Sequence, residues 1–552
     1  MPRHVIAGCA VAALVAAAGC APRNPGASVS CSPPECATDS TLLLVAEVDP
    51  PSDSQLVRQE FSSVAIDPQT GLFTLALDQQ VTLTGTVMVG AGDAAKPIAS
   101  TVVATRPSRI LGRPDVVYQG TVNPIDGTYT LAVSRSLPGE KYTLRVASTD
   151  TSLVPPKTLP VLADTNKIVD VSFDAPMTLP EIHGTIIDSL QQPVAGMQVQ
   201  ATTVATSMTP AVVVSTTTVT DANGAYSIRL VSNPPDKVML TATPTMLANV
   251  GLPSLQRAID STKLGPTSAV TATMMMPPLP TIVHVSYNVV GNGTSGTLIP
   301  VTAATCSFSA DVSDPHATDG TTATFRTTAM TDSVTGVVAV DLIPSSSGNR
   351  TYMLTVSPDP TQVFATTSLP VTVAQGGYGP DIVLGLRSQM SGRVLDPDGK
   401  ALKNLMVVPA ASTVSAALLA TPFAVATTPT QANAGTDGRF SLRIDPGIWD
   451  IGLVPAADAM LPRLWLTQEP LESDLDIGTV TMPRGVIVHG VVHDPSGAPL
   501  AHANVRIYTS ISGNADCPPA DQQCLAPPRL RAESSSGTDG TVSLILPSEP
   551  KD

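Results

Sequence analysis

Gly184-Thr185-Ile186-Ile187-Asp188, followed by Pro193-Val194-Ala195 and then by Thr220-Asp221-Ala222-Asn223-Gly224 ahead of Tyr226, Ile228 and Leu230, is a phrase that returns along this chain. Its glycine landmark stands at Gly127, Gly224, Gly336, Gly438 and Gly540, with gaps of 97, 112, 102 and 102 residues. A period this regular is the mark of an array of structural units. Two, four and six residues beyond each glycine the chain is apolar, as in Tyr129, Leu131 and Val133, in Phe440, Leu442 and Ile444, and in Val542, Leu544 and Leu546. Alternation with period two describes a strand with one buried face.

In the first four copies a turn and a second alternating run follow, for example Pro138-Gly139 before Tyr142, Leu144 and Val146, and Pro446-Gly447 before Trp449, Ile451 and Leu453. Turn residues between two such runs make a hairpin, because Pro presets φ and Gly accepts a positive one. With 52 Pro and 39 Gly in 552 residues, and no long apolar stretch at helical spacing, the fold class is all-β. A unit of about one hundred residues buries a sandwich core of its own. The chain therefore reads as a tandem array of about five antiparallel β-sandwich domains.

The Pro-marked junctions and the repeat spacing place a partial β unit over 41–80 and sandwiches over 81–179, 180–280, 281–386 (divergent) and 387–483. An incomplete one occupies 484–552. Short Pro-bearing linkers favour a semi-extended rod. Within the partial unit, Asp67-Pro68-Gln69-Thr70-Gly71 before Phe73, Leu75 and Leu77 reads as a sixth, shorter copy of the landmark. The last copy stops soon after Leu546, before a second alternating run. Its sandwich is expected to lack at least one strand and to expose an edge that another chain could fill, unless the natural end lies further on.

The amino end has a basic start at Arg3, an apolar run from Val5 to Ala18, and Ala17-Ala18-Gly19-Cys20. These are the parts of an export signal, and the run is too short for a comfortable transmembrane helix. The segment resembles a bacterial lipoprotein signal. That resemblance implies a signal peptide over 1–19, lipidation of Cys20, and a Pro- and Ser-rich tether over 20–40. With Ala21 after the cysteine, it implies the outer membrane or cell surface as the address. Ordinary secretion with an incidental Cys20 is the alternative. Among the seven cysteines, Cys9 leaves with the signal. Cys31 with Cys36, and Cys517 with Cys524, are disulfide candidates in an oxidising compartment. Cys306 lies in an alternating run with Phe308, as a buried free cysteine does.

Three copies resemble the carboxypeptidase regulatory-like domains, which have a transthyretin-like β-sandwich. They are Gly184–Asp188 with Pro193-Val194-Ala195-Gly196; Gly392-Arg393-Val394-Leu395-Asp396 with Gly399-Lys400-Ala401-Leu402; and Gly490-Val491-Val492-His493-Asp494 with Gly497-Ala498-Pro499-Leu500. The resemblance implies an accessory module and no peptidase activity.

No His-Glu-x-x-His zinc motif and no Gly-x-Ser-x-Gly elbow occurs, so no catalytic residue, metal ligand or cofactor site is assigned and the chain is read as not an enzyme. His183, His284 and His489 occupy one repeated strand position, filled elsewhere by Thr84 and Ser391, which reads as a polar strand site. His489, His493 and His502 are a remote metal set. Asp221-Ala222-Asn223-Gly224 and Asp396-Pro397-Asp398-Gly399 have oxygen ligands like half a calcium loop, but turn-capping explains them better. Aromatics are 3% of residues, and Trp465 is the spare platform for a sugar. A net charge of −15 excludes nucleic acid as a partner. Two readings remain. The first is a non-catalytic, lipid-anchored cell-envelope protein, a structural or adhesive rod held to the membrane by its N-terminal lipid. The second is a surface or secreted protein that recognises glycan or peptide.

Overall fold

The computed structural model describes residues 44–548, apart from 68–69, 111–112, 207–210, 246–250, 263, 265–267, 279–281, 294–295, 315–318, 345–349, 374–375, 412–431, 472 and 510–528. Among the described residues the chain is strands joined by turns, with three short 3-10 turns. The repeated phrase explains the repeated architecture at the level of single hydrogen bonds. In the second copy the landmark glycine, Gly224, has φ +67°, and its carbonyl accepts from Ile186 N–H at 2.8 Å. The Ile186 carbonyl accepts in turn from Val194 N–H at 2.9 Å. All three pieces of the phrase thus meet at one point. The same knot ties Val394 to Gly438 and Leu402, and Val492 to Gly540 and Leu500. A Cβ on Gly224 would lie 2.4 Å from the Ile186 oxygen, so a side chain there would break the knot as well as strain the turn.

Each complete sandwich is built the same way. In the first, the opening strand Val81–Val89 pairs antiparallel with Thr128–Val133, the strand after the landmark, and parallel with Lys167–Ile168 and Val171–Phe173 at the end of the unit. The facing sheet runs Lys157–Val161, Tyr142–Ser148, Ser100–Arg106, Val116–Thr121. Apolar residues from both sheets, including Leu83, Tyr129, Leu144 and Val171, form one core. The opening glycine has a reason too. The parallel partner is interrupted opposite it, and a Cβ on Gly85 would meet the Val169 carbonyl at 2.2 Å. Tyr129 donates its hydroxyl to that carbonyl at 2.7 Å, which satisfies the group that the break leaves unpaired. Tyr226 does the same for Ala272 in the second unit.

The second and third sandwiches are not separate beads. Ser254–Asp260 pairs antiparallel with Thr322–Met330, joining their facing sheets into one of eight strands over a continuous core.

The last unit differs from expectation. Gly485–His493 pairs with Thr541–Pro547 as an opening strand should, and Asn504–Thr509 pairs with Leu530–Ser535. The missing strands come from the amino end of the same chain. Leu44–Asp49 pairs antiparallel with Asn504–Thr509 over six unbroken residue pairs, and Gln59–Val64 adds beyond it. Leu72–Ala76 pairs parallel with His489–His493. Strand for strand, these stand where Tyr142–Ser148, Lys157–Val161 and the terminal parallel strands stand in the first unit. Two expectations are therefore corrected. The incomplete final sandwich does not present an open edge where its missing strands belong, because Leu44–Ala76 fills that place. Gly71 has φ +66° and donates its N–H to the Asp67 carbonyl at 2.7 Å, as the landmark glycine Gly127 does to Asn123, but the strand after it takes the terminal parallel position. Turn chemistry is local and does not specify which strand comes next. The first and last described segments share one core, in which Phe73, Leu75 and Leu77 pack with Val488, Val492 and Val542.

This closure predicts a long-range effect of a short-range lesion. Leu75 is 1% exposed, and Leu75→Ala should cost about 2–5 kcal/mol. Hydrogen exchange should show the lost protection in Gly485–His493 and Thr541–Pro547, with the fourth sandwich unaffected. Loss confined to residues 81–173 would contradict the closure.

Candidate functional site

Among the described residues a dense grouping of ionisable side chains lies where the closing sandwich meets the first. Ser100–Arg106 alternates buried and half-buried residues, and Arg106 is in phase with the buried set, so its side chain enters the interior and is 0% exposed. Its Nη1 donates to Glu60 Oε2 at 3.0 Å and to the Pro107 carbonyl at 3.0 Å, and its Nε donates to the Tyr142 hydroxyl at 3.2 Å. Glu60, also fully buried, further accepts from Ser108 Oγ at 2.7 Å and Arg109 N–H at 3.0 Å. Burial opposes the charge on Arg106, but Tyr142, Glu60 and Glu140 outweigh it and hold its pKa above the usual arginine value. Burial raises the Tyr142 hydroxyl to about 12.

Glu47, on the strand from the amino end, is the second buried acid. It accepts from Arg506 Nη1 at 2.7 Å and Arg113 Nη2 at 2.7 Å, and pairs also with Arg58. Arg506 comes from the last unit and Arg113 from the first, so one carboxylate ties together three segments far apart in the chain. Arg113 lies over the Tyr508 ring at 4.8 Å, beside a small apolar contact of Val45, Ile110 and Tyr508.

The fourth sandwich is held by the same chemistry. Asp445, 1% exposed, accepts from Arg387 Nε at 3.0 Å, while Arg387 also donates to the Pro360 and Gln362 carbonyls at 2.6 and 2.9 Å. Arg529 pairs with Asp450 and lies 5.0 Å from the Trp465 ring. Trp465 donates its indole N–H to the Leu530 carbonyl at 3.1 Å. The tryptophan considered as a sugar platform is thus built into the joint between the fourth and closing sandwiches. Arginine suits such joints because its planar fork reaches a carboxylate and backbone carbonyls together. These groups hold neighbours in place, and nothing in their geometry presents an activated nucleophile or a general base to a substrate.

The three equivalent histidines each make one cross-strand contact: His183 with Thr271 Oγ1 at 3.0 Å, His284 with Asp341 at 2.9 Å, and His489 with Ser543 Oγ at 3.0 Å. Among the described residues no three His, Cys, Asp or Glu side chains group as metal ligands, so His489, His493 and His502 are not brought together. The acidic turns use their oxygens internally. Asp221 Oδ1 accepts from Asn223 and Ala225 N–H at 2.8 and 2.9 Å, and Asp396 Oδ1 from Asp398 and Lys400 N–H at 2.9 and 2.8 Å. Cys306 is buried and free, its thiol raised to about 12 by burial. Cys20, Cys31, Cys36, Cys517 and Cys524, with the leader and tether, lie outside the described residues. No helix among the described residues is long and apolar enough to cross a membrane.

The joints went unnoticed in the sequence, although one left a signal: Arg106 is a charge standing in phase with the apolar, buried Val102 and Ala104.

No family model matches the sequence, and no curated protein matches it. Similar solved structures include a Streptococcal ancillary pilin, 12% identical over 56% of this chain and 99% of that one, at a TM-score of 0.22. The major pilin subunit BcpA of Bacillus cereus is 11% identical over 55% and 99%, at 0.13. Two B repeat units of the collagen binding protein of Staphylococcus aureus are 11% identical over 68% and 94%, at 0.13. Likeness this distant says nothing about activity, ligand or address.

Two outcomes are expected at the joints. Glu60→Ala strands Arg106 and should cost about 3–5 kcal/mol, much of it recovered when Arg106→Met is added; urea denaturation of the single and double variants measures both. A single-variant loss below about 1 kcal/mol would show that the pair does not hold the joint. Stability should also fall in acid. Burial disfavours the charged forms of Glu140 and Glu533, but hydrogen bonds from Arg109 and Leu137 N–H, and from Asn504 and Arg506, prevail and lower both below the ordinary 4.5. A depressed carboxylate contributes stability that is complete above its unfolded value and lost as pH falls through its folded one. Urea midpoints should therefore be level near neutrality and decline below about pH 4.5, and Glu140→Gln should flatten part of the decline.

Proposed function

We propose that the protein is a non-catalytic, exported component of the cell envelope, anchored by lipid on Cys20, that presents a self-closed array of β-sandwich modules in a structural or adhesive role. The observation that carries the reading is the closure itself. The strand that follows the tether, Leu44–Asp49, is an inner strand of the closing sandwich, between Gln59–Val64 and Asn504–Thr509. An anchor upstream of it would be attached to folded structure with no intervening module. The buried arginine joints support a scaffold role, since they fix how neighbouring sandwiches meet. The leader resembling a lipoprotein signal supports the outer membrane or cell surface as the address. The modules at 81–179, 180–280, 281–386 and 387–483 are read as regulatory-like sandwiches, the last module being composite, and the cysteine pairs 31/36 and 517/524 as disulfides.

A second reading, a surface or secreted protein that recognises glycan or peptide, is favoured by one observation: Tyr378 is 84% exposed on a strand.

Mass spectrometry of the amino-terminal peptide, with cell fractionation, tests the anchor. The expected result is a diacylated Cys20 in the membrane fraction, and release of the protein into the soluble fraction by Cys20→Ser. A soluble, unlipidated wild-type protein cleaved elsewhere would sink the anchored reading and leave the second.

A further inference from the structure

We propose that the outer face of the third sandwich binds a neutral polysaccharide along the strand Val283–Asn292, with Tyr378 as the stacking platform. The inference deepens the ligand-binding reading and is independent of lipidation. Strand pairing fixes which residues share this face. Tyr378 stands beside Ser286, which stands beside Ala339. One step along, His284 pairs with Asp341, their ring nitrogen and carboxylate 2.9 Å apart. One step the other way, Asn288 Nδ2 donates to Asp381 Oδ1 at 2.9 Å, and beyond it Val290 stands beside Val383. His284, Asp341, Tyr378 and Val383 are 67%, 57%, 84% and 45% exposed. From His284 to Val290 the strip is about 20 Å long at ~3.3 Å per residue.

The tyrosine is held outward by its neighbours. Gly377, with φ +122°, turns the backbone just before it, and a Cβ on Gly379 just after it would lie 2.2 Å from the Tyr287 ring. The chain is therefore pressed close to the sheet just after Tyr378, while Gly377 before it has a backbone conformation that glycine alone adopts readily. A large ring left in water is an informative exception in an outward face.

The chemistry selects the ligand. The C–H face of a pyranose stacks on an exposed ring, and its hydroxyls donate to carboxylate oxygens. Asp341 and Asp381 each engage a neighbour on the strip through Oδ1, and a carboxylate has acceptor capacity beyond one such contact, which a sugar hydroxyl can use as donor. The strip has two carboxylates, Asp341 and Asp381, which disfavours a polyanion. A linear strip without a pocket suits an extended chain over a small molecule.

Affinity electrophoresis of the full-length chain carrying Cys20→Ser, in gels containing galactomannan, mixed-linkage β-glucan, dextran or polygalacturonate, tests this. Retardation is expected with at least one neutral polymer and not with polygalacturonate. Tyr378→Ala should weaken it at least ten-fold and Tyr378→Phe should preserve it, with the thermal midpoints of both unchanged because the ring is exposed. No retardation by any neutral polymer, equal retardation of Tyr378→Ala, or retention by the polyanion alone would overturn the proposal. Because the test chain is unlipidated, none of these outcomes bears on the anchor.

Discussion

The last sandwich cannot bury its core from its own residues. Between Gly485 and Pro547 its described residues supply an opening strand, the strand that follows the landmark, and two strands of the facing sheet. Half of the facing sheet and the terminal parallel strand must come from elsewhere, and they come from Leu44–Ala76. The ladder between Leu44–Asp49 and Asn504–Thr509 joins residues more than four hundred and fifty positions apart, as the contact of Arg506 with Glu47 shows. Loop-closure entropy grows only logarithmically with length, so such a ladder is thermodynamically tolerable. Its cost is kinetic. Non-local pairing is slow, and the amino-terminal strands must wait for the carboxy-terminal unit before they are covered.

That waiting strand set gives the buried charges a physical role. A pair such as Arg106–Glu60 gains little net stability against an apolar pair of the same volume, because removing both ions from water is expensive. It penalises wrong neighbours strongly, since a misdocked segment would leave a buried guanidinium or carboxylate without its partner. Glu47 makes this discrimination three-way: its full set of contacts requires Arg58 of its own segment, Arg113 of the first sandwich and Arg506 of the last to be in place together. Arg387 with Asp445 does for the third and fourth sandwiches what Arg106 does for the first and closing ones.

The repeat, the all-β class and the hairpins were legible because they rest on short-range patterns: period-two burial at Tyr226 and Ile228, a positive φ at Gly224, a Pro-Gly turn before Tyr142. The closure was not. A strand such as Leu44–Asp49, with five of its six residues buried, has no alternating face to show which sheet it joins, and register across an array is written in no local motif. Trp465 was misplaced for a related reason. A ring free on a single module and one engaged at a joint between modules look alike in sequence, and only the folded chain sets the half-buried Trp465 against Leu530 and Arg529. The polar role of His183, His284 and His489 was legible because it recurs.

Closure also changes what an anchor upstream of Leu44 would feel. In a row of beads, tension passes from the tether into the first bead and tests that bead alone. Here the amino-terminal segment stays in the closing sandwich as far as Leu77, whose N–H donates to the His493 carbonyl at 2.9 Å, and Asp78–Gln80 leads directly into Val81–Val89. A pull between tether and first sandwich would therefore draw Leu44–Asp49 from its leading end and Leu72–Ala76 from its trailing end. Gln59 reinforces the exit, its side chain accepting from Asp78 N–H at 2.9 Å and donating to the Asp78 carbonyl at 2.6 Å. The strands that complete the last unit are thus the first described strands that an anchor upstream of Leu44 would load.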